Sequence, residues 1–120
     1  MSKQMDNMHT KSVLEPLGWL LQLITGILLV ILVTFHFIET HMISHDALDF
    51  EKVVERLSSG GYKAFYALLL LTVSFHAYNG IRAIILDTEF GRENRKAVNI
   101  AMAIVIIGAF VYGLQLLIAF

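Results

Sequence analysis

The chain has 120 residues, of which 57% are hydrophobic and 16% charged, with one proline, no cysteine and a formal net charge of −1. This composition excludes a water-soluble globular domain and offers no basic surface for nucleic acid. The absence of cysteine excludes disulfides, thiolate-bound iron–sulfur clusters and a cysteine nucleophile within the chain, so any such centre belongs to a partner.

Residues 1–16 are polar, with Lys3, Asp6, His9, Lys11 and Glu15. They lack the apolar segment and small-residue cleavage pattern of a secretory signal and the arginines of a transit peptide. They read as a loosely ordered cytoplasmic tail. From there, residues 17–120 read as one all-α bundle. Three stretches, about 17–38, 62–86 and 97–120, are each long enough to cross a hydrocarbon layer of ~30 Å, which needs about 20 residues.

The first span carries Gln22, Thr25, Gly26, Leu29, Val33 and His36 on one stripe, mixing small and polar groups suited to close helix packing with a histidine near its end. His41 and His45 follow at the surface, an ordinary interfacial position. In the next loop, Asp46 is placed to cap a short helix whose Phe50, Val53, Val54 and Leu57 repeat at i, i+3, i+4 and i+7. Such a helix lies along the membrane surface or on a partner. Ser58, Ser59, Gly60 and Gly61 are expected to stop it, because glycine readily takes the left-handed conformation.

The second span holds His76 near its middle, with Gly80 one turn on, and Arg82 and Asp87 toward its end. The missing side chain of Gly80 would let a flat macrocycle approach the backbone. Arg82 suits either haem propionates or snorkelling to lipid headgroups, and Asp87 either proton relay or helix termination. The loop to the third span carries Arg92, Arg95 and Lys96, and the third span has no histidine. Short cytoplasmic loops are enriched in Lys and Arg, which places the N-terminus inside and the C-terminus outside.

A histidine in hydrocarbon is costly and points to proton handling, metal or haem; hydrogen bonding between helices is the alternative for each. With a rise of ~1.5 Å per residue, His36 lies roughly 28 Å from the inner surface and His76 about 16 Å, a difference that survives tilts of about 20°. Two nitrogens on one iron, each at roughly 2 Å, must approach within about 4 Å. His36 and His76 therefore do not grip the same haem. As a haem ligand, each needs an opposing ligand from a second membrane subunit; the chain then shares one or two haems b, and two would stand one above the other.

The pattern Trp19, Gln22, Thr25-Gly26 and His36, followed by His76, Gly80, Arg82 and Asp87 (HxxxGxRxxxxD), resembles the cytochrome b membrane anchors of succinate dehydrogenases and fumarate reductases. The resemblance covers all three spans in order. It implies that His76 is an axial ligand of the haem b nearer the iron–sulfur subunit and His36 of an outer haem b. It also implies a quinone substrate, and a second membrane anchor subunit, an iron–sulfur subunit and a flavoprotein subunit as partners, in a prokaryotic cell membrane. Asp87 and Glu39 are the candidate quinone or proton groups at the two sides. Neither a dinucleotide fingerprint nor a soluble domain is present, so succinate oxidation itself has no catalytic residue here. The serine and arginine pattern of the larger anchor's ubiquinone pocket is absent from the first span, which implies the smaller anchor; Thr88 stands where some members have tyrosine after the aspartate, so the resemblance does not carry a quinone contact to that position. A haem-free structural anchor or assembly subunit, and a dihaem cytochrome b of a different dehydrogenase, are the competing readings.

Overall fold

Hydrocarbon offers backbone N–H and C=O groups no partner outside the chain itself, so apolar runs of this length fold as helices. The computed structural model describes residues 2–120, with side chains from Pro16 onward; the tail side chains, His9 among them, lie outside the described ones. Five helices follow in order: α1 Ser2–His41, α2 Phe50–Ser58, α3 Gly60–Leu86, α4 Glu89–Glu93 and α5 Arg95–Ala119. Three segments are long and apolar enough to span a membrane, Pro16–His41, Gly60–Leu86 and Arg95–Ala119. The protein is an all-α membrane protein, and no strand occurs among the described residues.

The stretch expected to be a loose tail is instead helical from Ser2 and continuous with the first span. Residues 2–15 contain neither glycine nor proline, so nothing in their sequence interrupts helix propagation.

The central helix is α3, which packs against each of the other four, while α1 and α5 flank it. Little is enclosed by this arrangement. The buried apolar residues among those described are Leu32, Ala47 and Val98, whereas Val30 and Trp19 are 69% exposed and Ile118 79%. In water such a surface would aggregate; in lipid it is the solvated face. On α1 the packed stripe runs through Gln22, Gly26, Leu29, Leu32 and His36, with Val33 turned outward. Leu32 thus takes the place that the sequence pattern gave Val33.

The loop between the first two spans differs from expectation in two respects. Asp46 does not cap α2. Asp49 holds the N-cap position without a side-chain bond, and Asp46 accepts from Ser44 instead, a bond that holds its carboxyl below the usual range. The stop after α2 does not use left-handed glycine, because no described residue has positive φ. Ser59 turns extended, with φ −75° and ψ 131°, and Gly60 and Gly61 form the first turn of α3. The helix α2 itself packs against α3, where Val53 and Leu57 line one cavity with His36 and Tyr66, and Phe50 stays exposed.

At the opposite end, the short helix α4 was not anticipated from sequence. Thr88 caps it by accepting from the Gly91 N–H at 3.1 Å and donates to the Ile85 carbonyl at 2.6 Å. Gly91 is buried, and a Cβ there would overlap the Ile85 carbonyl and lie 2.8 Å from Leu86 Cα. Both obstacles are backbone, which cannot rotate away. Gly91→Ala is expected to destabilise the α3–α4 corner by about 1–3 kcal/mol, in the range of overpacked substitutions. A lowered unfolding temperature of the detergent-solubilised complex, with earlier protease nicking between α3 and α5, checks this.

Candidate functional site

His76 is half-buried between α3 and α1. Its Nδ1 lies 3.0 Å from Thr25 Oγ1, and a Cβ on Gly26 would come within 3.3 Å of its Cε1. Below it the helices are joined by amides: Asn79 Nδ2 donates to Gln22 Oε1 at 3.0 Å and to the Gly18 carbonyl at 3.2 Å. Gln22 Nε2 in turn makes a long bond of 3.4 Å to the His76 carbonyl. Such side-chain bonds between spans are worth about 0.6 kcal/mol each on average, so their main effect is to fix helix register.

Gly80 belongs to this network. A Cβ there would lie 2.9 Å from Gln22 Nε2, so the end of the Gln22 side chain of α1 lies over Gly80. The glycine that brings a backbone closest to the histidine is Gly26. Arg82 also has a partner that the sequence did not suggest: its Nε donates to Asn99 Oδ1 of α5 at 2.6 Å. Asp87 is exposed at the C-cap of α3.

His36 lies at the α2 end of the bundle. Its ring meets Tyr66 edge-on, with centroids 5.6 Å apart, and its Nδ1 is buried with no hydrogen-bond partner among the described residues. A cavity of about 270 Å³ beside it is lined by Thr40, His41, Val53, Arg56 and Tyr66. One turn on, Glu39 is 6% exposed. Arg56 of α2 reaches over it, with Nε 3.6 Å from Glu39 Oε1 and Nη2 donating to the Ala47 carbonyl at 2.6 Å. Both Glu39 carboxylate oxygens lack hydrogen bonds among the described residues, and Glu39 lines a second cavity of about 230 Å³ together with Tyr62. His41 stacks on Phe37 at 4.9 Å and, like His45, is exposed.

The histidines stand at different heights. His76 is abreast of Thr25 and Gly26 on α1, and His36 is abreast of Tyr66 on α3. Ten residues separate the two levels along either helix, which is about 15 Å at 1.5 Å per residue. Among the described residues no group of three His, Asp or Glu gathers to hold a metal ion. Thr25, Tyr66, Arg56 and Asn99 complete these surroundings. Of the four, only Thr25 stood on a stripe legible in sequence, and even there without its partner.

Three comparisons bear on identity. Residues 7–116 match the family described as succinate dehydrogenase/fumarate reductase transmembrane subunit. The chain is 57% identical over 107 residues to the succinate dehydrogenase hydrophobic membrane anchor subunit of Archaeoglobus fulgidus, covering 89% of this chain and 92% of that protein. It is 26% identical over 101 residues to the protein of the same description from Thermoplasma acidophilum, covering 82% of each. No solved structure matches. With three apolar spans, and with a match running from before the first of them into the last, the chain belongs to the succinate dehydrogenase/fumarate reductase transmembrane subunit family as a membrane anchor.

Proposed function

We propose that this chain is the smaller of two anchor subunits in a succinate:quinone oxidoreductase. On this reading it binds haem b and takes part in electron transfer from an iron–sulfur subunit to membrane quinone. The observation that carries the reading is the placement of two imidazoles about 15 Å apart along the bundle, each with a ring nitrogen that no described residue occupies. At that spacing they serve different irons, and each requires an opposing ligand from the partner anchor. When bound, bis-histidine haem b supplies a one-electron couple with no open site for oxygen.

The residues present fit this role. Thr25 holds the His76 ring through one nitrogen and leaves the other for iron, and Gly26 gives the ring its room. The Nδ1 of His36 is buried without a hydrogen-bond partner among the described residues, so no bond within this chain holds the ring in a fixed tautomer. Arg82, steadied by Asn99, points to a propionate or headgroup contact at the α4 end. Asp87 there, exposed to water, and Glu39 at the α2 end, buried beside Tyr62, are the candidate proton groups for quinone on either side. The cations of the α3–α5 corner support a cytoplasmic position for that end in a prokaryotic cell membrane, the side on which the iron–sulfur and flavoprotein subunits would dock.

Family membership answers the reading as a subunit of an unrelated dehydrogenase. One observation favours a haem-free anchor: the bond from His76 to Thr25 is complete within the chain and joins α1 to α3 without any ligand. The haem-to-flavin ratio of the native complex, from pyridine haemochrome absorbance and extractable or covalent flavin, separates the two. About two haems per flavin are expected from the two ligand levels; a single haem retains His76 and leaves His36 as packing, and a haem-free complex makes both histidines structural.

A further inference from the structure

The geometry points to Thr25 as the positioning residue that sets the proton on His76, and through it the redox equilibrium of the iron that His76 holds; the inference rests on His76 being a haem ligand. A threonine hydroxyl has one hydrogen and two lone pairs. Thr25 Oγ1 lies 2.7 Å from the Leu21 carbonyl one turn back and 3.1 Å from that of Gln22, so its hydrogen is committed to its own helix, a common arrangement for threonine in a span. Toward His76 Nδ1, at 3.0 Å, the oxygen is left to accept. Nδ1 therefore carries the proton, and Nε2 presents its lone pair. This is the tautomer that an iron ligand needs, fixed by α1 before any cofactor arrives.

The identity of the acceptor also matters. A group accepting from the outer N–H of a ligating imidazole raises its basicity and favours the oxidised metal. A neutral hydroxyl does so more weakly than a carboxylate would, and α1 offers no carboxylate near this level: within the span its acidic residue is Glu39, thirteen residues beyond Gly26. Gly26 completes the arrangement, since a Cβ only 3.3 Å from Cε1 would press the ring off α1 and away from the hydroxyl.

The test uses the intact complex with Thr25→Val, which keeps the shape and removes the acceptor, and Thr25→Ser, which restores it. Haem occupancy, midpoint potential and the low-spin resonance spectrum are read on each. Thr25→Val should favour reduction of the His76 haem by up to about tenfold, ~59 mV for one electron, or lower its occupancy, and Thr25→Ser should return either property toward wild type. An unchanged potential, spectrum and occupancy in Thr25→Val, or a Thr25→Ser protein that fails to restore what Thr25→Val lost, would overturn the assignment. Retention of every haem in His76→Ala would instead defeat the ligand reading beneath it, a result that concerns occupancy and not potential.

Discussion

Replacing His76 with alanine is expected to remove one haem from the purified complex and leave the other in place. His36→Ala should remove the second haem selectively. The selectivity follows from the height difference of about 15 Å, because a ligand lost at one level has no effect on coordination at the other. His76→Ala removes the bond to Thr25 but leaves the rest of the α1–α3 seam, since Gln22, Asn79 and Gly18 keep their bonds when His76 is shortened. Haem absorbance, two-step redox titration and subunit stoichiometry of each variant check the result. Loss of neither haem in either variant would leave the histidines as interhelical glue; simultaneous loss of both from a complex with its full set of subunits would place them on one site, against the geometry.

The second large effect is expected at Arg56. Glu39 and Arg56 have side chains only 6% and 14% exposed, and removing one member of a buried pair leaves the other charge uncompensated at a cost of about 3–5 kcal/mol. Arg56→Met should destabilise the α2 end to that extent, with the lost bond to the Ala47 carbonyl included. The double variant Glu39→Gln/Arg56→Met should recover most of the loss, because no charge is then stranded. An internal control lies on the same helix: Lys52 and Glu55 are 50% and 76% exposed, and breaking an exposed helical pair of this kind costs about 0.3–0.5 kcal/mol. Thermal unfolding of the four proteins in one detergent tests the ranking. Equal effects of Arg56→Met and Lys52→Ala would mean that water reaches Glu39 freely.

Much of this architecture was legible in the sequence, and the part that was not has definable causes. The three spans emerge with their ends displaced by only a few residues, because a run of about 20 apolar residues is a signal that little else produces. The separation of the histidines was legible too, since depth depends only on rise per residue. Which residues face each other was not. Period 3.6 allows either Leu32 or Val33 to follow Leu29 on a stripe, and only the packed structure selects Leu32. Register between helices leaves no trace in a single chain's periodicity, so Thr25 with His76, Gln22 with Gly80 and Arg82 with Asn99 stayed hidden. The loop is ambiguous in sequence because several residues compete for one role. Two aspartates, Asp46 and Asp49, both suit an N-cap, and serine–glycine pairs serve equally to end one helix or to begin the next.

The exposure of so many large apolar side chains has a consequence for how the subunit is made. Among the described residues no large side chain is fully buried, and the helices meet along narrow faces. Each span can enter the bilayer and stay there by itself, but once inside, lipid competes on equal terms for its faces. Little then distinguishes the docked bundle from three inserted helices drifting apart. The native arrangement thus becomes a property of the assembled complex, and a copy made in excess of its partners is a natural target for membrane proteases.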